Sequence, residues 1–359
     1  MARFLLRRLV TSVVVLAGLA VVTFLMTQVL PGDPARAAAG RNATVEQVAA
    51  VRIRLGLDRP LWDQFLGYIG RLLHGDLGTS VFTQRPVTDD IAAVLPSSVE
   101  LVLAAMSINI VVAVPLGVYA AYRRGRAADL AARVVAMLGA AVPVFWLGLM
   151  LQLVLSARLR LLPLTGQLAF GREVSEITGM TTVDALLGGD LPAFGDALAH
   201  LVLPAVTLAA SFIAVVARTV RSSMIGALDS DYITLARATG ASEFRVVVRH
   251  GLRNALVPAS TILGMQLGWM LGSTVLVESI FGRTGVGAYA VNAVLQNDLY
   301  AVIGTVLVIG VVFVVANIAV DLIQLWLNPR LRQTGRGSAP AGSGPVAGAE
   351  PVATVGGTP

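Results

Sequence analysis

Three histidines, His74, His200 and His250, are the side chains best suited to bind a metal or move protons near neutral pH. They stand far apart, and no H-E-x-x-H pair puts two of them on one helical turn, so a zinc-type site has no framework. The chain has no cysteine, which excludes disulfides and thiolate ligands. No Ser, His and Asp set is visible, and each hydroxyl reads as a helix cap or a packing group. The run GRTGVG at 282–287 is glycine-rich but follows an apolar run rather than a strand, so it reads as a turn. A P-loop needs G-x-x-x-x-G-K-[ST]. The sequence contains no lysine, so ATP hydrolysis by such a loop is excluded.

The remaining chemistry is that of arginine, which makes up all 27 basic residues. Its densest use is YITLARATGASEFRVVVRHGLRNALVP, 232–258. Asp229 or Ser230 can cap a first short helix, with Leu235, Ala236 and Thr239 on one face. Gly240 can take the left-handed position that ends it. Ser242 can cap a second helix from about Glu243 to Leu256. Small residues let a partner's backbone come close. Arg237, Arg245, Arg249, His250 and Arg253 can pair with lipid phosphate or with acids on a partner. The plain alternative is a solvated loop that anchors the chain on the inner side of a membrane.

Such a segment needs a frame to hold it. The 359 residues are 56% hydrophobic and 13% charged, with mean hydropathy +0.77. A soluble domain carries about a quarter charged residues, so the composition indicates a membrane protein. The net charge of +6 does not indicate nucleic acid, because aromatic and basic residues do not interleave on a polar stretch. Six runs are long enough to cross a bilayer: Leu9–Leu30, Val99–Tyr122, Val134–Ser156, Leu201–Ala217, Ala259–Ile280 and Ala301–Trp326. Pro204 lies near the start of the fourth, which a membrane helix tolerates. The first run is longer than the apolar region of a signal peptide and reads as a span.

Arginine marks the inner side. Arg123, Arg124, Arg126 and Arg133 lie between spans two and three. Arg218, Arg221 and the 232–258 segment lie between spans four and five. Arg330, Arg332 and Arg336 follow span six, whereas the loop before it has only Arg283. Both termini are therefore expected inside. The loop 31–96 is expected outside and ordered. Thr44 and Gln47 have capping-box spacing. Leu61, Trp62, Phe65, Leu66, Ile69 and Leu72 repeat at helical period, and Gly75 can stop that helix. The tail from Thr334 has no composition for a core and is expected to be disordered. The expected division is residues 1–30 with the first span, 31–96 outside, 97–328 as a five-helix core with the basic loop at 229–257, and 329–359 as the tail.

Polar residues inside spans face protein or a water path. Asn109, Gln152, Gln266, Asn317 and Asp321 are candidates, with Asp321 near enough to the inner end to pair with Arg330 or Arg332. Gly264, Gly268 and Gly272 give span five a flat face for close helix packing, within this chain or against another.

The segment ARATGASEFRVVVRHGLRNALVP resembles the coupling-loop signature of binding-protein-dependent ABC importer permeases, B-type members of the dipeptide/oligopeptide family. FLLRRL, LPGDPA, LGLDRPLWDQF, GDLGTSV, PVTDDIAAVLPSS, PVFWLGLML, HLVLPAVTLA, VESIFGRTGVG, NDLYAVIG and VDLIQLWLNPRLR are similar in the same order, over roughly residues 3–332. Two positions depart. The general motif opens Glu-Ala-Ala, where this chain has Thr234, Leu235 and Ala236. Asn328 stands where the family often has an acid.

The resemblance implies an all-α membrane fold of six transmembrane helices, like a type I ABC importer permease, in the bacterial cytoplasmic membrane. It implies that the chain is not an enzyme and binds no cofactor, with ATP and Mg2+ held by partner subunits. Those partners would be two ABC ATPases, a second homologous permease and an extracytoplasmic substrate-binding protein, all in the lipid bilayer's context, with no nucleic acid. Ala236 and Gly240 would dock in a groove of the ATPase. Asp231, Leu235, Arg237, Ala238, Ala241, Arg249, Arg253 and Asn254 complete the coupling set. Gly264, Gln266, Gly268, Gly272 and Glu278 would line the translocation path or pack helices. Cargo within the family includes peptides, nickel chelates, glutathione and sugars, and no residue pattern here separates them. An autonomous secondary transporter would need mid-membrane coupling charges and often inverted repeats. Neither is clear in this sequence, and no catalytic pair at helical spacing supports an intramembrane enzyme.

Overall fold

The computed structural model describes residues 2–29, 34–40, 43–54 and 56–327. In chain order the helices are α1 (Ala2–Val29), α2 (Pro34–Ala39), α3 (Val45–Arg54), α4 (Leu61–Leu73), α5 (Val87–Tyr122), α6 (Ala127–Ala141), α7 (Val144–Leu151), α8 (Thr181–Leu187), α9 (Leu191–Leu228), α10 (Asp231–Ala238), α11 (Glu243–Arg245), α12 (Leu252–Phe281), α13 (Val286–Leu295) and α14 (Leu299–Leu327). Among the described residues the only β feature is an isolated antiparallel bridge, Thr79 to Pro86. Leu30, the tail from 329, and Arg330, Arg332, Arg336 and Asn328 fall outside the described residues.

Among the described residues, five helical stretches are long and apolar enough to cross a membrane, and a sixth crossing exists if one bent pair counts as a single span. That pair covers the expected span Val134–Ser156 but is bent rather than a single helix. Asp129–Gly139 and Val144–Arg158 meet at 98°. The break is at Val142–Pro143. Proline pushes the residue before it out of helical geometry, and Val142 is extended at φ −79°, ψ 126°. Beyond α7 the chain widens into a π-helical turn, Gln152–Arg158.

Other spans are longer than hydropathy indicates. α5 begins at Val87, twelve residues before the expected Val99. α9 begins at Leu191 and runs to Leu228, well beyond Leu201–Ala217. The extra turns hold charges that hydropathy penalises, such as Asp90, Asp196 and Arg221. Once a helix leaves the apolar layer, polar side chains no longer oppose it. Asp190 starts α9 by accepting a hydrogen bond from the Ala193 N–H (2.9 Å). Pro96, Pro115, Pro204 and Pro258 all sit inside helices, as membrane helices permit.

The core lies between α5, α9 and α12, where Leu101, Met106, Leu208, Met270 and Phe281 are buried together. Gly117 lets α5 and α9 touch: a Cβ there would lie 2.6 Å from the Ala217 carbonyl oxygen and 2.8 Å from the Val220 Cβ. α14 packs on both α12 and α1. The capping box at Thr44 is present, with Thr44 N–H donating to Gln47 Oε1 (2.9 Å) and Gln47 N–H to Thr44 Oγ1 (3.3 Å). Gly75, at φ +75°, ends α4 as expected.

Candidate functional site

The basic segment forms a hairpin at one end of the bundle. α10 ends through Gly240, whose φ of +82° is the left-handed geometry that favours glycine. Gly240 N–H donates to Arg237 O and Ala241 N–H to Ala236 O, each at 3.0 Å, closing the helix end. Ser230 occupies the N-cap position without capping, because its hydroxyl donates back to Ala227 O (2.5 Å).

The expected separate second helix, Glu243–Leu256, is corrected. α11, a π turn at Val246–Gly251 and α12 form one continuous helical stretch from Glu243 to Phe281. The reason is local: no residue between 243 and 281 supplies a stop, and Pro258 is tolerated inside the span. The hairpin's return arm is thus the end of a membrane helix.

Packing holds this arm against its neighbours. Ile233 and Val246 are fully buried. Gly251 sits against Met224 of α9, and Ala121, Met224 and Ala255 form a small core. Asn254 Nδ2 donates to the Tyr232 hydroxyl (2.8 Å). Arg237 bridges the glycine turn to Glu243 (Nε to Oε1, 2.9 Å). Two ion pairs brace the base: Arg221 to Asp129 (2.7 Å) and Arg124 to Asp229 (3.1 Å). What the hairpin leaves open is an apolar and basic tip. Leu235 is 65% exposed and Phe244 77%, with Asp231, Arg237, Ala238, Gly240, Arg245, Arg249 and Arg253 also exposed and Ala236 and Ala241 half-buried. Phe244 did not stand out in the sequence, because a lone aromatic next to arginines has no distinguishing period.

The second candidate set disperses along α12. Gly264 and Gly268 are buried against Val320 and Phe313 of α14, so they pack helices within this chain. Gly272 is open: a Cβ added there would meet no neighbouring helix within 4 Å. Gln266 Oε1 accepts from Asn109 Nδ2 (2.8 Å), and Gln266 Nε2 donates to Phe212 O (3.2 Å), tying α5, α12 and α9 together in mid-bundle. Gln152 donates to Leu164 O and Ile280 O. Asn317 Nδ2 donates to Phe313 O within its own helix (2.8 Å). Asp321 pairs with Arg8 of α1 at 2.8 Å; Arg330 and Arg332, its expected partners, fall outside the described residues.

Glu278 lies at the opposite end from the hairpin and is fully buried. It accepts from the Ser98 hydroxyl (2.5 Å), Gly287 N–H (2.8 Å) and Ala288 N–H (3.1 Å). Beside it Arg283 Nη2 meets Glu100 Oε2 (3.1 Å), while Glu100 Oε1 accepts from Thr182 N–H (2.7 Å) and its hydroxyl (2.5 Å). Burial pushes the Arg283 pKa down and the Glu100 carboxylate opposes that shift. The network locks α5, the turn after α12 and α8 into one block. Ser98, Glu100 and Thr182 were not singled out in the sequence, since nothing local links positions so far apart.

The comparisons with known proteins bear on this arrangement directly. Residues 113–333 match the family model "Binding-protein-dependent transport system inner membrane component", and residues 1–102 match "Binding-prot-dependent transport system membrane comp, N-term". The chain belongs to this family. It is 41% identical to "Probable D,D-dipeptide transport system permease protein DdpB" of Escherichia coli (strain K12), over 90% of this chain and 95% of that one. It is 37% identical to "Dipeptide transport system permease protein DppB" of the same strain, over 92% of this chain and 99% of that one. It is 35% identical to "Glutathione transport system permease protein GsiC" of Salmonella choleraesuis (strain SC-B67), over 92% of this chain and 99% of that one. This transport permease is therefore a multi-pass membrane protein with the helical permease fold. Family members work with a substrate-binding protein and an ABC ATPase.

Proposed function

We propose that the chain is one of two permease subunits in an ABC importer for di- and oligopeptides, served by two ATPases and an extracytoplasmic binding protein. The hairpin is the ATPase contact, and both chain termini lie on its side of the membrane, the cytoplasm. The arginine-rich loops at that end support this orientation. ATP and Mg2+ belong to the partner subunits, and this chain's task is mechanical.

One observation carries the coupling role: the exposed Phe244 sits on a helix that continues into a membrane span, and the exposed Leu235 lies just across the Gly240 turn from it. A push on the tip moves the whole span, because a continuous helix does not absorb it as a flexible loop would. Asp129–Arg221 and Arg124–Asp229 carry the same push to α6 and the α5 end. The dipeptide permeases among the relatives support the cargo, and the glutathione permease makes that small peptide the second reading.

The test is reconstitution with candidate ATPases, comparing Gly240→Arg with Gly240→Ala. Both carry the cost of a left-handed non-glycine residue, about 1–2 kcal/mol, but only arginine adds bulk in the open space there. The proposal expects ATPase capture and peptide uptake to fall at least about tenfold in the arginine variant alone. Equal capture in both variants rejects the docking assignment. Binding measurements on the partner binding protein decide between peptides and glutathione.

A further inference from the structure

α4 carries three distinct strips. Phe65, Tyr68 and Leu72 turn inward and cluster with Phe24 of α1 and with Leu299, Ile303 and Leu307 of α14. Asp63, Gly67, Gly70 and Arg71 make the polar side. Between them runs an exposed apolar strip: Trp62 is 67% exposed, Leu66 52% and Leu73 82%.

The depth of the inward contacts decides what covers that strip. Thr23 Oγ1 and Tyr68 Oη are hydrogen-bonded at 2.8 Å, and the Phe24 and Phe65 rings meet at 5.2 Å. Thr23 is six residues inside the end of its span at Val29, about 9 Å at 1.5 Å per residue. Leu307 is eight residues inside α14, about 12 Å. The two helices have 28 and 29 residues, Ala2–Val29 and Leu299–Leu327. That is about 42–44 Å against roughly 30 Å of hydrocarbon, so about 6–7 Å overhangs at each end. Thr23, Phe24 and Leu307, which meet α4, therefore lie within the apolar layer, with Ile303 and Leu299 nearer its boundary. Next to them, Val21, Val22 and Leu25 of α1 are exposed. The bare strip of α4 extends that surface.

We propose that α4 is an interfacial helix, seated in the bilayer leaflet opposite the hairpin, with Trp62, Leu66 and Leu73 against lipid acyl chains and the polar side toward the headgroups and water. A helix with separate apolar and charged sides and a tryptophan at the boundary is suited to that layer. The segment between the first two spans is thereby held in the membrane rather than free in solution, independently of which cargo the permease carries.

The chain has four tryptophans and no cysteine, so two probes can be placed cleanly. In the first, Trp146→Phe, Trp269→Phe and Trp326→Phe leave Trp62 as the sole emitter in the full chain, reconstituted in phosphatidylcholine vesicles with and without its transport partners. Lipids brominated near the carbonyl end of the acyl chain should quench it about twofold, with little quenching by aqueous iodide. In the second, Leu66→Cys carries a nitroxide in an otherwise unaltered chain, which guards against misfolding of the triple variant. Its collision rate should be higher with oxygen than with a water-soluble nickel complex. Access from water in either probe overturns the proposal. Shielding that appears only when the binding protein or second permease is added also overturns it, in favour of a protein contact.

Discussion

Arg221 and Asp129, 92 residues apart in the chain, meet in a two-pronged ion pair: Nε to Oδ1 and Nη2 to Oδ2, each 2.7 Å. Asp129 is 1% exposed and also accepts from the Gly125 N–H (3.2 Å). The pair joins the start of α6 to α9, two turns before the hairpin. Removing Arg221 leaves a poorly hydrated carboxylate. Arg221→Met is expected to lower stability by about 2 kcal/mol, read as a shift in thermal unfolding in detergent. Adding Asp129→Asn should recover part of the loss, because the stranded charge is then gone.

Gly268 and Gly272 separate packing from open surface on one helix. A methyl at Gly268 runs into the Phe313 ring, whereas Gly272 has free space. Gly268→Ala is expected to cost about 1–3 kcal/mol by overpacking. Gly272→Ala should change stability by no more than about 0.5 kcal/mol in the isolated chain. If both are neutral by thermal unfolding, α12 and α14 are not packed as described.

Asp184 predicts an acid response outside the spans. Burial raises its pKa, but donors from Thr178 (N–H at 2.7 Å, hydroxyl at 2.6 Å) and the Gly179 N–H (2.9 Å) win, and the net shift is below the ordinary value of 3.8. A depressed carboxylate stabilises fully above its ordinary pKa, and that stabilisation is lost as pH falls through the lower folded value. Hydrogen exchange at 177–187 should therefore be flat from pH 7 down to about 4 after correction for intrinsic rates, then rise. Asp184→Asn should remove the pH step and raise exchange at every pH.

Glu100 and Arg283 make a buried charge pair at the end opposite the hairpin, with side-chain exposures of 5% and 1%. Glu100→Ala strands the guanidinium and frees Thr182, with an expected loss of about 3 kcal/mol. Glu100→Gln keeps an acceptor for Thr182 and should cost less. Equal losses in thermal unfolding would mean that the charge pair is not what holds this block.

Much of this was legible in the chain. The Thr44/Gln47 box, the Gly75 stop and the Gly240 turn were readable because each depends on residues within one helical turn. The apolar runs located the spans for the same reason. Span ends were not readable where helices leave the bilayer, as at Val87 and Leu191, because charge stops opposing helix there. The bend at Pro143 was missed because hydropathy does not register direction.

The sequence by itself determined that the chain lives in a membrane, that it carries no lysine-based nucleotide loop, and that a glycine-broken basic segment sits between two spans. These follow from composition and from short-range periodicity, which add up locally along a chain. Tertiary structure decided the rest: that the segment's second arm is continuous with a span, that Gly264 and Gly268 serve α14, and that Asp321 answers to Arg8. A buried polar group is satisfied by whichever partner the packing brings within about 3 Å, and that distance is set by helices far apart in the chain.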